Sequence, residues 1–93
     1  KGKKATVEYQ GYLVNGTLFD YSRGFNPQGH EPLEFLTAGG QMIPGFDYMV
    51  QDMKLGETRT VIIPPALAYG DRGINGVIPG GAYICFDIKV LKF

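Results

Sequence analysis

The chain has 93 residues, 44% apolar and 13% aromatic, which suggests one domain able to fold without disulfide or metal support. Nine basic residues balance nine acidic ones, which argues against bulk attraction to nucleic acid or an anionic membrane and leaves only the local basic patch of Lys1, Lys3 and Lys4. No apolar run approaches the roughly 18 residues that a membrane span needs.

The first element is a strand. Ala5, Val7, Tyr9, Gly11 and Leu13 share one face, and Thr6, Glu8, Gln10 and Tyr12 the other. Asn15-Gly16 follows as a tight hairpin turn, both residues tolerating positive φ, and Thr17 to Ser22 returns as extended chain. Residues 23–32, RGFNPQGHEP, have no periodicity and read as a loop or flap. Leu33 to Thr37 is a short strand, broken by AGG at 38–40.

One helix stands out. Pro44 suits its first turn because a missing N–H costs nothing there. Phe46, Met49, Val50 and Met53 form its apolar stripe, and Gly56 is expected to end it. About two and a half turns are too few to be stable alone in water, so the helix must pack on a sheet. Glu57 to Ile63 is a strand stopped by Pro64-Pro65, and ALAYG at 66–70 is a single turn closed by Gly70. Residues 71–81 form a second long loop. In the last strand, Ala82 to Phe93, Ile84, Phe86, Ile88 and Val90 face the core, while Tyr83, Cys85, Asp87 and Lys89 face outward. This order predicts an α+β fold, an antiparallel sheet wrapped over one helix.

Conventional chemistry finds little support. Ser22 and His30 are the only serine and histidine, with Asp20 nearby, but His30 sits in a Gly/Pro loop with nothing to fix it, and a solvated histidine is the simpler reading. One Cys and one His cannot build a zinc site, Asp71 to Asn75 lacks calcium ligands, and AGGQMIPG lacks the Lys-Ser/Thr ending of a phosphate loop. Cys85 has no partner for an intrachain disulfide, which fits a reducing compartment. No metal and no cofactor is expected. What remains is a set of apolar and aromatic residues beside loops: Tyr9, Phe19, Asp20, Phe35, Met42, Ile43, Phe46, Tyr69, Ile78 and Phe86. They are either simply core or the lining of an apolar pocket with a few polar groups at its mouth.

Several stretches, in order, resemble the FKBP-type peptidyl-prolyl cis–trans isomerases, the macrolide-binding immunophilins. They are VEYQGYLVNGTLFDYS (7–22), PLEF (32–35), MIPGFDYMVQDMKLGE (42–57), IPPALAYGDRG (63–73) and VIPGGAYICFDIKVLKF (77–93). The resemblance spans almost the whole chain and implies a curved antiparallel sheet wrapped around one short helix. It implies catalytic roles for Tyr9, Asp20, Phe46, Tyr69 and Phe86, and substrate contacts for Phe19, Phe35, Met42, Ile43 and Ile78. The Ile43 N–H and Tyr69 hydroxyl would donate to substrate carbonyls, and Asp20 would stand at the wall.

Three positions depart from the family pattern. Phe46 stands where an indole usually forms the floor, Phe25 where an Arg often pairs with the wall Asp, and Ile74 replaces a frequent aromatic-type residue. The departures imply a less oriented Asp20 and a reduced activity. The implied function is isomerisation of Xaa-Pro bonds in folding polypeptides. The alternative is a weakly active or inactive binding module in a larger complex, and a third reading is a chaperone-like holdase. Proline-containing polypeptides, macrolide immunosuppressants and a larger protein complex are the implied partners. The chain begins at Lys1 without a Met, signal or transit peptide, and residues 1–93 are expected to be a single domain trimmed of its N-terminal extension. The flavour of AYGDRG…IPGGAY suggests a soluble chloroplast protein of the thylakoid lumen, with the cytoplasm as the alternative.

Overall fold

A computed structural model describes residues 2–93, so Lys1 of the basic patch lies outside the described residues. The elements are β1 (Lys4–Leu13), β2 (Leu18–Tyr21), β3 (Leu33–Leu36), α1 (Pro44–Asp52), β4 (Thr58–Ile63), a 3₁₀ turn (Pro65–Leu67) and β5 (Ile84–Lys92). All strand pairs are antiparallel, in the order β2-β1-β5-β4, with β3 also on β1. The sheet is not closed. One edge of β1 is shared: β3 pairs with Lys4 to Val7 and β2 with Gln10 to Tyr12. The other edge runs beside β5 for most of its length.

The predicted alternation holds. Ala5, Val7 and Tyr9 of β1 and Ile84, Phe86, Ile88 and Val90 of β5 are buried on the face that α1 covers. Each Val, Ile or Phe among them removed from water contributes about 1.5–3 kcal/mol, which is what holds a nine-residue helix that would melt by itself. Asp47, in the first turn of α1, is also buried. Its carboxylate accepts from the Ala38 N–H at 2.9 and 3.2 Å and from the Gln51 amide at 2.9 Å. That anchor fixes the turn before the helix, where Ala38 takes a φ of 60°.

Several expectations need correction. The helix stops at Asp52, not at Gly56. Met53 turns extended and keeps its side chain in the core, and the Glu57 carboxylate accepts the Lys54 N–H at 2.8 Å. Gly56 instead forms the following turn at φ 83°, donating to the Val90 carbonyl at 2.9 Å. In the first hairpin only Gly16 adopts positive φ, and the loop is three residues long: Leu13 donates to the Thr17 carbonyl, and the Asn15 side chain accepts the Thr17 N–H at 2.9 Å. Cys85 lies on the outward face as expected but is only 6% exposed, because Tyr12 and Ile62 flank it across the ladder. Burial pushes its thiol above the ordinary range, and nearby Asp87 adds to this. Lys4 of the basic patch stands 3.9 Å from Glu34, an exposed pair.

On the same outward face Asp87 collects three donors: Thr60 Oγ1 at 2.6 Å, Gln10 Nε2 at 2.7 Å and the Tyr12 hydroxyl at 3.1 Å. This polar clip crosses β1, β5 and β4.

Candidate functional site

Five aromatic rings converge where β1, β2, β3, β5 and the start of α1 meet. Phe46 is the hub: its ring lies 5.0 Å from Phe86, 5.8 Å from Tyr9 and 5.8 Å from Phe35, centroid to centroid, all edge-on. Phe19 stands edge-on to Phe86 at 5.8 Å, and Tyr9 is 6.2 Å from Phe86. Edge-on pairs place a ring's positive rim against its neighbour's negative face, each worth about 0.5–1.5 kcal/mol beyond burial. Room for them comes from Gly11, where a Cβ would lie 2.7 Å from Phe86 and 2.8 Å from Phe19.

The structure sorts the ten predicted residues into two levels. Tyr9, Phe35, Phe46, Ile78 and Phe86 are buried, Phe46 completely, and Phe35 reaches the ring cluster through Phe46. Phe19, Asp20, Met42, Ile43 and Tyr69 are half-buried around them. The floor is therefore closed in this form, and an incoming group meets the upper level first.

Two donors at that level are uncommitted among the described residues. Ile43 precedes α1 without a side-chain cap, and its N–H donates to no protein acceptor. The Tyr69 hydroxyl likewise has no hydrogen-bond partner. Burial and then the Asp20 charge push its phenol up, so it stays a neutral donor.

Asp20 is held firmly, contrary to the expectation that lack of an Arg partner would leave it loose. The Tyr9 hydroxyl donates to Oδ2 at 2.9 Å, the Tyr21 N–H to Oδ1 at 3.0 Å, and His30 Nε2 lies 2.9 Å from Oδ1. Burial first, then the hydrogen bond to Asp20, push the Tyr9 phenol far up, so it too remains protonated. His30 is fixed rather than loose in solvent. Its Nε2 is also 3.0 Å from the Tyr9 hydroxyl, its Nδ1 is 3.1 Å from the Glu31 carbonyl, and its ring sits 5.6 Å from that of Tyr9. The isolated loop sequence hides this because the partners lie 10 and 21 residues away.

Ser22 is fully buried and structural: its Oγ accepts the Tyr9 N–H at 2.8 Å and donates to Glu8. Glu8 also accepts the Gly24 N–H at 2.8 Å, which ties the start of the loop to β1. No Ser-His-Asp relay exists, since the His30 ring nitrogens contact Asp20, Tyr9 and Glu31. Elsewhere, an apolar groove of about 290 Å³ between α1 and β4 is lined by Tyr48, Met49, Val61, Ile62, Pro64 and Leu67, away from the rings.

Comparison with known proteins agrees with this architecture. A family model described as FKBP-type peptidyl-prolyl cis-trans isomerase matches residues 1–91. The chain is 41% identical over 92 residues to FK506-binding protein 1 of Dictyostelium discoideum, covering 99% of this chain and 82% of that protein. It is 44% identical over 91 residues to FK506-binding protein 2 of Candida glabrata, covering 97% of this chain and 64% of that protein. It is 41% identical over 91 residues to peptidyl-prolyl cis-trans isomerase Fkbp12 of Drosophila melanogaster, covering 98% and 81% respectively.

Proposed function

The chain belongs to the FKBP-type peptidyl-prolyl cis-trans isomerase family, and we propose that it isomerises Xaa-Pro bonds of polypeptides at the ring cluster. The observation that carries this reading is an apolar aromatic site with two donors uncommitted among the described residues, the Ile43 N–H and the Tyr69 hydroxyl.

Amide resonance sets a rotation barrier of about 18–20 kcal/mol. At 20 kcal/mol the rate is roughly 0.01 per second, and each factor of a thousand needs about 4 kcal/mol. The planar amide is more polar than the twisted one, because twisting uncouples the nitrogen lone pair from the carbonyl. An apolar site therefore favours the twisted form, and only that difference accelerates the reaction. No proton has to move. Tyr69 and the Ile43 N–H would hold the substrate's flanking carbonyls, and Asp20 would stand at the wall. The prolyl ring would settle between Phe19, Met42 and Ile43, with Tyr9, Phe46 and Phe86 supporting it and Phe35 and Ile78 backing the site.

Isomerase activity on proline-containing polypeptides takes precedence over the reading as an inactive assembly module, for which no separate feature speaks. The relatives' names make FK506-type macrolides the natural ligand class to test. Residues 1–93 are read as one domain. No helix among the described residues is long and apolar enough to cross a membrane. Residence in the thylakoid lumen is a proposal that fractionation of the source cells would decide.

The deciding measurement is the cis-to-trans rate of a short Xaa-Pro peptide with and without protein. Acceleration proportional to protein concentration, abolished by excess FK506, supports the reading. A rate equal to that of buffer ends it.

A further inference from the structure

The 23–32 loop carries the chain's one histidine, and the backbone delivers it to a defined place. The Arg23 N–H donates to the His30 carbonyl at 2.7 Å, a bridge between the end of β2 and the loop. Gly29 permits the approach: a Cβ there would lie 2.5 Å from the Ser22 carbonyl carbon. The imidazole then reaches Asp20, Tyr9 and the Glu31 carbonyl together.

Those partners favour one protonation state. A carbonyl and a carboxylate oxygen only accept hydrogen bonds, so satisfying both contacts at once needs a proton on Nδ1 facing Glu31 and one on Nε2 facing Asp20. Only the imidazolium supplies both. A neutral ring sets a lone pair against either the Glu31 carbonyl or the Asp20 carboxylate. If the bare nitrogen is Nε2, it competes with Asp20 for the single Tyr9 hydroxyl proton.

We propose that His30 is a positioning residue: as imidazolium it locks the Asp20 carboxylate and the Tyr9 hydroxyl in one arrangement at the wall, and loss of its proton releases them. Its consequence for rate rests on the isomerase reading above. The charged and titratable groups around it are Asp20 from β2, Tyr9 from β1 and the exposed Arg23–Glu31 pair at 3.5 Å on the loop itself, with Tyr69, beyond the 3₁₀ turn, feeling the charge of Asp20. The hydrogen bond to Asp20, then that to the Glu31 carbonyl, raise its titration above the ordinary 6.5 despite some desolvation.

The test joins two readouts on the full chain. Imidazole NMR should show His30 titrating above the ordinary value, with the Asp20 carboxyl carbon shifting at the same pH, and Asp20→Asn should lower that titration. In the peptide assay, kcat/KM should fall roughly 2- to 10-fold as pH rises through it. His30→Arg, which keeps charged donors, should hold the low-pH value throughout, and His30→Ala the high-pH value. Titration at or below the ordinary value, unmoved by Asp20→Asn, overturns the proposal, as does an active wild type with a flat profile shared by both variants. An inactive wild type would sink the isomerase reading alone, and the coupled titration would still decide whether the imidazolium sets the wall.

Discussion

Gly11 and Phe86 face each other across the β1–β5 ladder, and the missing side chain of one is the space occupied by the ring of the other. The same gap admits Phe19 from β2. A single hydrogen at position 11 thus lets two rings stand edge-on at 5.8 Å.

Gly11→Ala should therefore act on site and fold together. Its Cβ would meet Phe86 and Phe19 below 3 Å, an overpacking that costs about 1–3 kcal/mol. Urea unfolding should show a lower midpoint with an unchanged slope, and the peptide assay a fall in kcat/KM. Wild-type values in both would mean that the rings have slack.

Tyr69→Phe should separate function from stability. The hydroxyl has no protein partner among the described residues, so the unfolding midpoint should hardly move. If it donates to substrate, its loss removes about 0.5–1.5 kcal/mol, roughly 2- to 10-fold in kcat/KM. An unchanged kcat/KM would take Tyr69 out of the proposed machinery.

Stability should fall on the alkaline side. Burial, then Asp20, raise the Tyr9 phenol in the fold, so above the ordinary value near 10 the unfolded chain loses that proton while the folded one keeps it. The folded state then binds more protons, and linkage makes stability decline as pH rises past 10. Tyr69 contributes in the same direction. Thermal melts of Tyr9→Phe should show a shallower decline than wild type, and parallel curves would contradict the assignment.

Asp87 should govern part of the acid limb. Its burial opposes ionisation, but the hydrogen bonds from Thr60, Gln10 and Tyr12 outweigh it and hold the carboxyl below its ordinary range. A depressed folded value gives stability that is present above the ordinary value near 4 and is lost as pH falls through the folded one. Asp87→Asn should destabilise by about 1 kcal/mol or more near neutrality. The gap from wild type should close below about pH 4, and a constant gap would assign the effect to packing.

The sequence by itself determined the layers. Period-two alternation assigned Ala5, Val7, Tyr9 and Phe86 to one face because a pleated strand leaves no other choice, and Pro44 with the Phe46–Val50 spacing fixed the one α-helix. The strand rings Tyr9 and Phe86 were legible for the same reason, whereas Met42, Ile43, Tyr69 and Ile78, which lie outside the strands, were singled out as apolar residues beside loops and given roles only through the family resemblance. Local pattern failed where a distant partner decides the outcome. The helix ends at Asp52 rather than Gly56, Met53 turning extended while the Gly56 N–H pairs with the distant Val90 carbonyl. Asp47 is buried because Ala38 needs an acceptor. His30 is fixed because β1 and β2 bring Tyr9 and Asp20 within reach of a loop whose own sequence promises nothing. Hydrogen bonds between residues far apart in the chain leave no period in the sequence, so only the folded arrangement could reveal them.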